Sequence, residues 1–438
     1  MKLYRLTLVF LIILLAGCSS LRREGGSPPP KETNLAGTPL PPVKASPVPG
    51  GSSTPQKAAT PSEMVLHIWV PPQFDPADNT QAGSLLKARL NEFTATHPGV
   101  KLEVRVKAQE GPGGLLDALS TASAAAPLAL PDLVALPRPI LEAAALKGLL
   151  HSFDGLIAAH DDPDWPDYAR QLAHLQNSTF GLPFAGDALL LVYHPKSVRV
   201  PPRDLDSLLK VAGLVAFPAA DPEALFTLAL YQAAGGPIQD SHGRPDIDAN
   251  ILTQVLTFFQ EGEMAGLMPF WLTQFDTYDQ VDEAYRQGQA SLAITWASHY
   301  LGRASNLPTD EAASLIPTAD GKPFTLATGW VWALASPQPD RWALTAQLAE
   351  FLTDSKFLAE WTLAVGYLPT RSSSLSYWPE SPLQSLASQI IPSARLYPSA
   401  DILSGLGPTL EQATVQVLKR QSDPLAAAQS AVDHLKNP

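Results

Sequence analysis

From Met64 onward the sequence alternates between two hydrophobic periods, and that alternation limits the fold more than any other feature. Residues 64–70 (MVLHIWV) form an apolar, β-rich run stopped by Pro71-Pro72. Leu85, Leu86, Leu90 and Phe93 then share one helical face, and His97-Pro98-Gly99 ends that helix. Residues 100–106 (VKLEVRV) alternate apolar and polar, the period of a half-buried strand. An Ala-rich helix over 115–126, a short strand over 131–136 and a helix over 139–149 continue the series. A second set follows. It has an apolar run at 188–193, a strand at 213–217, helices over 222–234 and 250–264, and a strand at 290–296. An extended apolar stretch at 324–334 precedes helices over 342–352, 355–365, 410–419 and 425–435. Strand and helix in turn predict an α/β fold whose sheet is covered by helices. The chain has 438 residues, enough for two or three domains or lobes.

The N-terminus does not belong to that pattern. Lys2 and Arg5 precede an apolar run of about ten residues, too short for the roughly 20 that span a bilayer. Leu15-Ala16-Gly17-Cys18 follows and resembles a bacterial lipobox, in which the cysteine is acylated and becomes the mature N-terminus. The reading is a leader over 1–17 and a lipid anchor on Cys18, holding the protein to a membrane on its extracytoplasmic face. Residues 18–62, rich in Pro, Gly, Ser and Thr and free of aromatics, cannot bury enough apolar area to offset their ordering entropy. They are expected to be a disordered tether.

Cys18 is the single cysteine, so disulfides and Cys-ligated metals are not expected in the folded body. The formal charge of −12 falls to −14 once Lys2 and Arg5 leave with the leader. That balance argues against a nucleic-acid partner and against electrostatic docking on anionic lipid.

Several blocks, in order, resemble the extracellular solute-binding proteins of ABC importers, of the maltose-binding type. They are Phe93 to Val100, Leu119 to Ala126 followed by Pro131-Asp132-Leu133-Val134, and Gly181-Leu182-Pro183-Phe184 followed by residues 190–196 (LLVYHPK). Gly288 to Ile294, Gly329, Ala349 to Thr353 and Gly366 to Arg371 complete them. This chain has His194 where the family commonly carries Asn. The resemblance implies a type II periplasmic-binding-protein-like fold: two α/β lobes with a ligand cleft between them. By that analogy residues 63–184 plus 326–366 form one lobe, and 188–322 plus 370–438 the other. It further implies a monomer that closes on its ligand like a hinge and hands it to ABC permease subunits, without cofactor, metal or catalysis.

Candidate ligand-binding residues sit where open α/β sheets leave a crevice, beyond the strand ends. Trp69 and Gln73 follow the first strand, Arg138 the third, and Asp187 stands at the expected crossing between lobes. Trp296 and His299 follow the strand at 290–296, Trp330 follows Gly329, and Arg371 ends the Gly-Tyr-Leu-Pro turn. Indole faces suit the C–H face of a sugar ring, and Asp, Arg, Gln and His suit its hydroxyl rim. A sugar or oligosaccharide is therefore the expected ligand, with Trp332 as an additional core-or-cleft tryptophan. The acidic run Asp161 to Asp167 lacks the Gly and distal Glu of an EF-hand and is expected to be a solvated loop. A surface sensor or adhesion lipoprotein of the same fold is the alternative. A secreted glycosidase is a weaker one, since no nucleophile elbow, His-Glu-x-x-His or phosphate-cradling loop is present.

Overall fold

The computed structural model describes residues 64–157, 162–303 and 310–436. The leader, Cys18, the 18–62 tether and Asp161 lie outside the described residues. The first part of the body runs β1 (Met64–Val70), α1 (Gln81–Thr96), β2 (Val100–Val106), α2 (Leu115–Ala125), β3 (Leu133–Pro137), α3 (Arg138–Leu146), α4 (Asp167–Leu172) and a small hairpin, β4 (His174–Leu175) and β5 (Ser178–Thr179). The long strand β6 (Gly181–Tyr193) leads to α5 (Leu205–Leu208), β7 (Val215–Ala216), α6 (Leu225–Ala233), α7 (Ala249–Met264), α8 (Tyr278–Arg286), β8 (Leu292–Trp296), α9 (Ala297–Leu301) and β9 (Ala312–Ser314). A second long strand, β10 (Thr325–Leu334), is followed by α10 (Pro339–Leu352), α11 (Ser355–Val365), α12 (Pro382–Ser393), β11 (Ala394–Leu396), α13 (Ala400–Leu418) and α14 (Pro424–Lys436).

The strands order as β2-β1-β3-β10-β6-β8-β7, with β11 beside β10 and β9 beside β6. β1 pairs parallel with β2 and β3, as the alternation predicts. The two long strands hold the architecture together. Residues 181–185 of β6 pair with 330–333 of β10, which lies against β3. Residues 189–193 of β6 pair instead with β8 and β9. One antiparallel ladder thus serves two sheet regions, a first half built on β1–β3 and a second built on β7–β9. β6 is buried along its whole length, Gly186 and Asp187 included, with apolar runs on either side of them.

The return to the second half lies later than residues 366–370. A 3-10 turn over Ser372–Tyr377 packs on α11, and Trp378 donates its indole N–H to Ala359 O at 2.9 Å. Gln384 donates to Leu375 O at 3.0 Å, tying α12 to the same layer. The chain crosses at β11, which pairs parallel with residues 325–327 of β10. The run Ser372-Ser373-Ser374 carries no hydrophobic period, so this extension of the first half has no signature in the sequence. α13 likewise begins ten residues before the helix predicted at 410. Gly405, Gly407 and Pro408 interrupt its pattern, and Gly407 is required where the helix meets the carbonyl of Pro222.

Candidate functional site between the halves

Asp187 lies on β6 where the ladder passes from one half to the other. Its Oδ1 accepts from the backbone N–H of Ala188 and of Ser298, both at 2.9 Å, and its Oδ2 accepts from Ser298 Oγ at 2.5 Å. The carboxylate thereby fixes the start of α9 beside the crossing. Burial pushes its pKa up to about 6, against the pull of the Ser298 and Ala188 hydrogen bonds and of nearby His299.

Trp296 ends β8, paired with Leu189 of β6, and remains half-buried. Its ring meets Tyr278 at 5.5 Å. His299, one turn into α9, is held from both ring nitrogens: Nδ1 lies 2.7 Å from Thr295 Oγ1 and Nε2 lies 2.9 Å from Asp279 Oδ1. Asp187, Trp296 and His299 therefore form one constellation, positioned by β6, β8 and α9. Ser298 belongs with them. It was not legible as a site residue because nothing in a lone serine announces that a buried carboxylate will face it.

The first-half candidates lie differently. Trp69 and Trp330 are only 3% and 5% exposed, and Trp332 only 2%. Trp330 packs edge-on to Phe74 at 4.9 Å, and Trp332 stacks on Phe184 at 4.5 Å. Phe74 also touches Trp361 and Tyr367, closing an aromatic cluster that fills the top of the first half. Lys107 sits over the Trp69 ring at 4.7 Å. These indoles are spent on packing in this conformation, and the sequence could not separate them from Trp296, since all lie in or at the end of apolar strands. Gln73 is exposed beside the cluster and donates to Gln109 Oε1 at 3.3 Å. Burial together with the Asp187 charge raises the Tyr367 pKa well above the usual phenol range, against the lowering influence of the neighbouring Trp330 and Gln73 side chains. Tyr367 thus links Gln73 to the neighbourhood of Asp187.

Arg138 and Arg371 are not brought to this constellation. Arg138 is 6% exposed; its Nε donates to Glu142 at 2.6 Å and its Nη1 to the carbonyls of Gln171 and Leu172 at 2.8 and 2.6 Å. Glu142 in turn accepts the Ala400 N–H at 2.9 Å, at the start of α13. Arg371 donates to Thr353 O and Asp162, both at 2.7 Å, and covers the Trp165 ring at 4.1 Å. That arrangement also corrects the expectation of a solvated acidic loop. Asp162 and Asp164 dock the loop onto Arg371, Ser372 and Ser373, and Trp165 is buried. The Asp164 backbone N–H, followed by Arg371, holds the Asp162 carboxyl below its ordinary range.

Two sheet regions joined by crossing strands, with a polar and aromatic constellation at the junction, define a two-lobed binding protein. The family model for bacterial extracellular solute-binding proteins matches residues 88–383, and the chain belongs to that family. Solved structures share the fold. The sugar-binding protein MalE of Xanthomonas citri superposes with a TM-score of 0.70 at 16% identity, over 85% of this chain and 97% of that one. A cyclic α-maltosyl-1,6-maltose binding protein of Arthrobacter globiformis gives 0.68 at 17% identity, over 86% and 100%. Maltose-bound MalE3 of T. maritima gives 0.65 at 16% identity, over 85% and 99%. No curated protein matches the sequence. No helix among the described residues is long and apolar enough to cross a membrane.

Proposed function

We propose that this protein captures a neutral sugar or oligosaccharide outside the cytoplasmic membrane and presents it to the permease of an ABC importer, moored through acylated Cys18. The observation that carries the reading is the half-buried Trp296 at the junction of the halves, beside His299 and the Ser298-bound Asp187. An indole face with fixed donors and acceptors at its rim is what a pyranose needs. The three structural neighbours named above are sugar-binding proteins by description, which supports the same ligand class. Within this reading Trp296, His299 and Gln73 are the ligand-facing set, and the buried Asp187 positions Ser298 beside them. Trp69 and Trp330 shape the wall behind Gln73, and Arg138 and Arg371 hold the first half together. Asp187 accepts from the Ala188 N–H and from the Ser298 N–H and hydroxyl, which holds the start of α9 in place.

The test is a thermal-shift screen of the full chain against glucose, maltose, maltotriose and maltotetraose. A ligand at a hundred times its Kd stabilises the folded state by about 2.7 kcal/mol. A raised melting temperature with one of these sugars is expected. Flat curves with all of them, together with a shift on amino acids or peptides, would replace the ligand class.

A further inference from the structure

Where the two long strands pass between the halves, two glycines face each other: Gly186 of β6 is paired with Gly329 of β10. Neither has left-handed backbone, so neither is there for its torsion angles. Both are there for space. A Cβ on Gly329 would collide with Ala185 O and press on Leu172, and a Cβ on Gly186 would collide with the hydroxyl of Tyr168. Leu172 and Tyr168 both belong to α4, so one helix of the first half lies directly on the glycine pair. The ladder register shifts between Trp330 and Val331, one step further along β10. Such an irregularity bends strands and loosens the ladder beside it. On its other edge Gly186 exchanges both backbone hydrogen bonds with Leu368, at 2.7 and 2.8 Å. Near there the halves touch, the Gly366 turn lying against the backbone of Gly302.

Tyr168 is 1% exposed, and among the described residues its Oη has no hydrogen-bond partner. It makes no hydrogen bond to the nearby Asp187 carboxylate, which accepts from Ala188 and Ser298 instead. Leaving a buried hydroxyl unmade is costly, while replacing it with a group that needs no partner is not. The crossing is where the relative angle of the halves is set, so this cost attaches to one angle rather than to the fold as a whole. We propose that the Gly186–Gly329 pair is the pivot between the halves, and that the Tyr168 hydroxyl pressed against it biases the pivot away from the conformation described here. Tyr168 is then a positioning residue: it tunes how often the halves adopt this arrangement, and so the apparent affinity for any ligand that requires it. The inference deepens the capture reading, since it rests on ligand binding being coupled to the angle between the halves.

The test needs no ligand. Spin labels are placed on Leu128→Cys in the first half and Val200→Cys in the second, both at exposed positions, in the full chain carrying Cys18→Ser. Pulsed dipolar distances are compared for Tyr168, Tyr168→Phe, Gly186→Ala and the double variant. Tyr168→Phe is expected to shift the population toward the distance of this structure by about tenfold, equivalent to about 1.4 kcal/mol. Gly186→Ala alone is expected to move it the other way. Adding Tyr168→Phe should restore it, because the colliding atom is the hydroxyl. A distance distribution unmoved by Tyr168→Phe, even with a changed melting temperature, overturns the proposal, and this holds if Gly186→Ala fails to fold. A maltotriose titration of the same samples separates the two claims. Shifted distances without sugar binding leave the pivot standing and remove the sugar, whereas binding with unmoved distances does the reverse.

Discussion

On the first-half side of the crossing, Trp330 and Trp332 lie in a cluster with Phe74, Phe184, Trp361 and Tyr367, at most 5% of either indole surface exposed. On the second-half side, Trp296 has Tyr278 as its one ring contact among the described residues and stays half-buried, with fixed polar groups around it. The same residue type, at the same kind of place beyond or within a strand, does two jobs. The difference lies in the partners. At Trp330 β10 is paired on both edges and lies under an aromatic layer, whereas β8 ends at Trp296, paired there with β6 alone, before a short helix whose first turn is tied down by Asp187. Indole count therefore says little about a binding surface, and what stands opposite the ring says much more.

Substitutions can break that contrast. Trp330→Ala is expected to have the largest effect, a loss of about 3–5 kcal/mol in urea unfolding, because it opens a cavity inside a packed cluster. Asp187→Asn should cost about 1–3 kcal/mol, since an NH2 group replaces one of the two oxygens that accept from Ser298 and Ala188. It should also change the pH profile. The Asp187 pKa is raised by burial from 3.8 to about 6, so the folded state holds this proton more tightly than the unfolded one. Its effect on stability is most favourable below about pH 4, declines as pH rises to about 6, and is constant above. Unfolding midpoints from pH 4 to 7 should show that decline in the parent and lack it in Asp187→Asn. Arg371→Ala should cost about 1–2 kcal/mol by releasing the Asp162–Asp164 loop, with ligand affinity unchanged by calorimetry. The smallest stability effect is expected for Trp296→Ala, within about 1 kcal/mol.

Much of the fold was legible. β1 coincides with its predicted run because it is apolar and largely buried between β2 and β3, and β2 because its apolar/polar alternation marks a half-exposed edge strand. β6 was read in two pieces and is one strand, since Ala185-Gly186 breaks the apolar run without breaking the ladder. The later crossing at β11 was not legible, because Ser372 to Tyr377 and the Pro-flanked α12 are held by tertiary hydrogen bonds rather than by any period of their own. At the site, the sequence offered Asp187, Trp296 and His299 among eight candidates for one cleft, and these three lie on neighbouring elements, β6, β8 and α9. It could not see that Arg138 and Arg371 would be consumed by backbone carbonyls and carboxylates of the first half, since long cations beyond strand ends look alike until their acceptors are placed.

The central claim is that a neutral sugar is gripped at the junction of the halves against the half-buried Trp296. Isothermal titration of the full chain and of Trp296→Ala with maltotetraose, paired with urea unfolding of both, addresses it directly. The account predicts saturable binding by the parent and at least about tenfold weaker binding by the variant, the loss of about 1.4 kcal/mol that one stacking contact supplies, at a nearly unchanged unfolding midpoint. Equal affinities in parent and variant would contradict it.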